Sequence, residues 1–231
     1  MAKEFYDVTV KTYFNTRLKE VMYKGMETYP LYVQVTYDRK SIVFKSYYFD
    51  VFAQPKYDFL TITFAQINEL EGRVIDSIVK RNANDFSLDL LLRRYRLYCL
   101  DILDNFDGPF KIWLGAYLKK EGLPALAVLF EHAPEEICAI RIWDDLRKIV
   151  DPGFFEKMEE KAAQAGPYLP LAEYVRHSSP EGPFCLPFYE WIIFEKSIEI
   201  EEFIDEKFWQ VDFGLMIRTV SRLLSKKATE E

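Results

Sequence analysis

Tyr29-Pro30-Leu31-Tyr32-Val33-Gln34-Val35-Thr36-Tyr37, then Asp38-Arg39-Lys40, then the run from Ser41 to Phe49, is the stretch on which the fold turns. Leu31, Val33, Val35 and Tyr37 alternate with Tyr32, Gln34 and Thr36, the two-residue period of a strand that buries one face and wets the other. Asp38-Arg39-Lys40 is a polar break, and the run after it is rich in β-branched and aromatic residues, so the pair predicts a hairpin. Upstream, Val8, Val10, Thr12 and Phe14 alternate with Thr9, Lys11, Tyr13 and Asn15, which predicts a further strand. Between them lies a polar, Gly-containing connection around Lys24, Gly25 and Met26. Downstream, Phe49 to Phe59 contains Gln54-Pro55-Lys56 and reads as a loop.

From Thr63, an expected N-cap, the period changes to 3.6. Ile67, Leu70, Val74 and Ile78 share one stripe, with Glu69, Glu71, Arg73 and Lys80 facing elsewhere. Asn82 to Phe86 breaks this helix, and Ser87 opens a second one through Leu91, Tyr95 and Leu100 that carries Arg93, Arg94 and Arg96. Asn105, Asp107, Gly108 and Pro109 then fall together, and the module is expected to end there. Further helices are expected over Phe110–Glu121, Leu126–His132, Pro134–Val150, Phe154–Ala165, Leu169–His177, Phe188–Glu206 and Phe208–Ser225, with Lys226–Glu231 fraying. The expected class is α+β: a small three-stranded antiparallel sheet with a helix at residues 1–104, then an acidic all-α domain at 105–231.

With 49% hydrophobic and 29% charged residues, the 231-residue chain has a globular balance and can bury a core. Aromatics reach 16%, which points to aromatic-rich packing or an aromatic surface kept for a partner. Met1 to Tyr6 has no apolar core of a signal peptide, and no stretch approaches the ~18 apolar residues of a membrane span. The sequence therefore predicts a cytoplasmic protein without membrane contact. Cys99, Cys138 and Cys185 are too scattered for a disulfide framework or a zinc site and read as small apolar residues.

Little of the common catalytic vocabulary is present. His132 and His177 stand in no metal-binding or triad arrangement, and the glycines form no phosphate cradle. Asp101, Asp104 and Asp107 are spaced by three, a spacing that on a helix can hold a divalent cation or a shared proton, although solvated helix surface explains such carboxylates more simply. The same holds for Asp144-Asp145 and for Glu199, Glu201 and Glu202. No cofactor is implied.

The net charge of −7 is unevenly divided: residues 1–100 carry 15 Lys and Arg against 12 Asp and Glu, and residues 101–231 carry 15 against 25. A polyanion is attracted to the first part and repelled by the second. Lys11, Arg17, Lys19, Arg39, Lys40 and Lys45 lie on or beside the expected sheet, whose polar face also presents Tyr13, Tyr32, Gln34 and Thr36. Such a sheet can enter a major groove, its cations neutralising phosphates and its Gln and Thr meeting base edges; an ordinary wet sheet face is the plainer alternative.

Tyr29 to Val35, the turn Asp38-Arg39-Lys40, the strand Ile42-Val43-Phe44-Lys45-Ser46 and the trailing Gln54-Pro55-Lys56-Tyr57-Asp58 together resemble the N-terminal arm-type DNA-binding module of tyrosine recombinases (integrases) from conjugative transposons and phages. Ile67-Asn68-Glu69-Leu70-Glu71 and Phe86-Ser87-Leu88 are similar to the connecting helix and the start of the next segment there. The resemblance covers about residues 5–90. It implies a three-stranded sheet packed on a helix and inserted in DNA, with Lys11, Arg17, Arg39, Lys40 and Lys45 as phosphate or base contacts. Gln34 stands where the family often has Arg, and Ser46-Tyr47-Tyr48 replaces a small, Gly-containing strand end. The recombinase catalytic set is absent, since His132 is followed by Ala133-Pro134-Glu135 and His177 by Ser178-Ser179-Pro180.

Two functions follow as expectations. One is a non-catalytic accessory protein of a mobile element or phage, in a bacterial or phage-infected cell or with the virion, that binds double-stranded DNA through the sheet while its helices engage a protein partner or a second copy. The other is an interaction or assembly protein in which sheet and aromatic-rich helices form a protein interface. An enzyme assembled from sequence-distant carboxylates and a metal is a third.

Overall fold

The computed structural model describes residues 7–180 and 182–230, so the expectations placed on Met1–Tyr6 and Glu231 lie outside the described residues. The chain forms two compact units, 1–100 and 101–231.

In the first unit, β1 (Thr9–Phe14), β4 (Leu31–Tyr37) and β5 (Lys40–Lys45) form an antiparallel sheet in the order β1-β4-β5. The expected α+β class, with a small three-stranded antiparallel sheet ahead of a mainly helical remainder, is what the chain adopts. Register follows the alternation in sequence: Val35 pairs with Val10 and Ile42, and Val33 with Thr12 and Phe44, so these side chains share the inner face. Leu31, Val33 and Val35 are buried there, each burial contributing about 1.5–3 kcal/mol. The hairpin turn is only Asp38-Arg39, both with positive φ (47° and 59°), the two-residue turn whose twist matches the flanking strands.

The connection around Gly25 is itself a hairpin, β2 (Val21–Tyr23) and β3 (Met26–Thr28), turning through Lys24 and Gly25 at positive φ. Tyr23 drops into a cluster with Phe49 and Phe64, at centroid distances of 4.8 and 5.3 Å, and Phe14 meets Phe64 edge-on at 4.9 Å. The Lys24 ammonium donates to the carbonyls of Tyr57 (3.0 Å) and Leu60 (2.5 Å), fastening the hairpin tip.

The segment expected to be a strand end and a loop is partly helical. β5 stops at Lys45, Ser46 caps α1 (Tyr47–Phe52), and Pro55–Tyr57 makes a 3-10 turn. The reason is Glu71. It lies on α2 (Phe64–Arg81), whose N-cap Thr63 forms a reciprocal capping box with Gln66. Ile67, Leu70, Val74 and Ile78 are buried as expected, but Glu71 is buried too, because α2 is covered on two sides, by α1 and by α3 (Leu88–Cys99). Its carboxylate accepts from Ser46 Oγ (2.6 Å), Tyr48 N (3.3 Å) and Tyr95 Oη (2.5 Å). Ser46 Oγ in turn accepts from Phe49 N, and Tyr95 Oη from Tyr47 N. Glu71 thus organises acceptors for the first amides of α1, which a helix start must satisfy.

The second unit contains α4 (Ile102–Lys120), α5 (Pro124–Glu131), α6 (Ala139–Ile149), α7 (Pro152–Ala165), α8 (Tyr168–Ser178), α9 (Phe188–Trp191), α10 (Phe194–Lys207) and α11 (Phe213–Glu230). The unit begins at Asp101, and the expected break at residues 104–109 runs through α4, with Pro109 inside it. Asp101 explains the earlier start: its side chain accepts from Leu103 N (3.0 Å), capping α4, and from Leu186 N (2.9 Å). The single helix expected over Phe188–Glu206 is divided at Ile192–Ile193, and α11 runs to Glu230.

Candidate nucleic-acid interface

The side chains that alternate away from the core of the first unit make three rows across the open face of its sheet. From the hairpin end they are Thr9–Thr36–Ser41, Lys11–Gln34–Val43 and Tyr13–Tyr32–Lys45. Lys11, Tyr13, Ser41, Val43 and Lys45 are exposed, while Tyr32, Gln34 and Thr36 on the central strand are partly so. Among the described residues of the first unit no helix covers this face, since α3 packs on the other side, with Tyr95 against Phe44 at 4.5 Å.

The rows differ in what they leave unspent. Thr36 Oγ1 and Ser41 Oγ share a hydrogen bond of 2.7 Å. Tyr13 and Tyr32 stack, with centroids 6.4 Å apart. Lys45 reaches Asp50 at 2.7 Å, but both side chains are about half exposed (47% and 46%), so the pair is weak and exchangeable. Gln34 and Lys11, in the middle row, make no side-chain hydrogen bond or ion pair among the described residues.

Other expected contacts sit at the two ends of the sheet. Arg39 occupies the hairpin turn, and Arg17 and Lys19 are exposed in the loop after β1. Cations therefore mark both ends of a sheet about 20 Å long, with Lys11 between them. Lys40 departs from the group: the register puts it on the side of Ile42 and Phe44, because a strand changes face at every residue. Arg93, Arg94 and Arg96 are exposed on α3, which packs beneath the inner face, so they turn away from the open one. Val43, half exposed at 50%, belongs to the middle row and was legible in the sequence from its parity with Ser41 and Lys45.

Two of the three spaced aspartates of the second unit, Asp101 and Asp107, are buried and structural, while Asp104 is exposed. Asp107 Oδ1 accepts from Ala139 N (2.7 Å) and Tyr168 Oη (3.2 Å), and its other oxygen meets the buried Lys111 ammonium at 2.9 Å. Tyr168 Oη accepts from Ile140 N, so a distant carboxylate and a phenol cap α6, which Cys138 cannot. Asp101 is occupied at the start of α4, and Asp144 makes a two-pronged ion pair with Arg176. No group of three or more His, Cys, Asp or Glu among the described residues is arranged to hold a metal ion. All three cysteines are buried and none is in a disulfide. An apolar groove of about 530 Å³ runs between α4 and α11, lined by Phe110, Trp113, Tyr168, Leu215 and Met216. No helix among the described residues is long and apolar enough to cross a membrane.

Comparison with known proteins finds no matching family model, no matching curated protein and no matching solved structure.

Proposed function

We propose that the chain is a DNA-binding accessory protein that lays the open face of β1, β4 and β5 into the major groove of duplex DNA. The observation that carries this reading is the middle of that face, where Lys11 and the Gln34 amide stand exposed or partly exposed and unspent between cations at both ends. The dimensions agree. Three strands at about 4.8 Å spacing measure roughly 10 Å between outer strand axes, against a groove about 12 Å wide. Lys11 and Lys45 on the outer strands then face opposite phosphate walls, and Gln34 on the central strand faces the base edges.

The helical unit carries the second half of the reading, a protein contact. Ile112, Leu129, Ile149 and Trp209 expose 65% or more of their surface there, which is apolar area of the kind protein interfaces cover. With the integrase-like sheet and no recombinase catalytic set, this arrangement suits a mobile-element or phage protein that joins DNA to an assembly.

Anisotropy of a labelled random 20-base-pair duplex tests the DNA half. At about 50 mM salt the full chain is expected to bind, and a variant with Lys11, Arg39 and Lys45 all changed to Ala to lose at least tenfold, as phosphate-neutralising contacts supply most non-specific affinity. Equal binding by the triple variant and the parent would assign the interaction to another surface, and absence of binding would remove the reading.

A further inference from the structure

We infer that the middle row of the sheet, Lys11–Gln34–Val43, gives the protein a preference for A·T base pairs. This inference rests on the DNA reading above and specifies what the sheet reads once it lies in the groove.

Two of the three rows are largely spent on themselves. The hydroxyls of Thr36 and Ser41 are engaged with each other at 2.7 Å, and the Tyr13 and Tyr32 rings lie against one another. What remains unspent at the centre is an amide and, beside it in register, an isopropyl group that is half exposed at 50%. Gln34 is partly exposed, and its amide makes no hydrogen bond among the described residues, so its donor and its acceptor are both available.

The major groove presents matching chemistry at only one kind of base pair. Adenine offers an N7 acceptor beside an N6 donor, which a Gln amide meets with two hydrogen bonds. The paired thymine offers a C5 methyl, the one apolar group in the groove, and Val43 stands one strand away, about 4.8 Å from Gln34. A guanine in the same place presents two acceptors along its own edge, so the match of donor and acceptor to one purine is lost, and no methyl stands across the pair for Val43. Lys11 completes the row at β1, where its ammonium meets phosphate whatever the sequence.

The test uses the full chain and two labelled 16-base-pair duplexes at about 100 mM salt, one built only of A·T pairs in mixed order and one only of G·C pairs. Wild type is expected to favour the A·T duplex by about tenfold, the scale of one good bidentate base contact. Gln34→Ala is expected to lose most of the preference, and Val43→Ala to keep only part of it. Gln34→Arg should reverse it, because a guanidinium pairs with guanine O6 and N7. Wild-type binding to both duplexes within twofold, or an unaltered A·T preference in Gln34→Arg, overturns the base reading while leaving DNA binding intact. Binding to neither duplex overturns the DNA reading as well.

Discussion

Glu71 shows how much of the first unit depends on one side chain. Burial pushes its carboxyl above the usual range, against hydrogen bonds from Ser46, Tyr95 and the Tyr48 amide that pull it down. A folded-state value above the unfolded one favours the protonated form. The stability it contributes is therefore complete below the ordinary value of 4.5 and is lost as pH rises through the folded value. Glu71→Gln keeps an acceptor and discards the charge, so its stability relative to wild type should grow as pH is raised above that ordinary value. Urea unfolding across pH 4–8 measures the difference, and a constant gap at every pH would contradict it. Glu71→Ala leaves the Ser46 and Tyr95 hydroxyls without their acceptor and should cost about 2–4 kcal/mol. Nothing local in the sequence announced this role: Glu71 borders the apolar stripe of its helix, and only α3, packed on a second side, encloses it.

At the scale of elements, the hairpin of β4 and β5 was legible because its alternation is strict and a two-residue period admits one register with Val33 and Val35 inside. The same parity rule makes the open face legible, and it moves Lys40 off that face. The β2–β3 hairpin was harder to see, since its strands are three residues each and are held by Tyr23 and Lys24 reaching to distant residues. Capping by the remote Asp107 and Tyr168 hid the start of α6, and at α4 the cap is Asp101 itself, a carboxylate that also reaches the distant Leu186 amide. The turn Asp38-Arg39 allows stability and binding to be separated. Arg39 holds a left-handed conformation with φ of 59°, which costs a residue with a Cβ about 1–2 kcal/mol that glycine avoids. Arg39→Gly should raise the unfolding free energy by about 1 kcal/mol and still weaken duplex binding. A variant that is more stable and binds DNA as wild type does would show that Arg39 is only a turn residue.

At the scale of the whole molecule, charge is divided between the units: the first has a balance of +3 and the second −10. On the proposed reading the attraction to DNA would be local to the sheet and weak in net terms, so salt should govern it strongly. Five cations at phosphates imply a slope of about −4 to −5 in log affinity against log salt. A slope near zero would favour an interface made without ion release. The division was legible from counting residues, and the boundary between the units lies four residues before the expected one, because Gly108 and Pro109, which read as a break, are accommodated inside α4.

The central claim is that the open face of the sheet is the surface that meets DNA, and backbone amide chemical shifts of the labelled chain during titration with a short duplex test it most directly. The largest changes should fall on Lys11, Gln34 and Val43 and on the Asp38-Arg39 turn, with α2 and α3 unmoved. Changes confined to the helices, or none at saturating duplex in low salt, would contradict it.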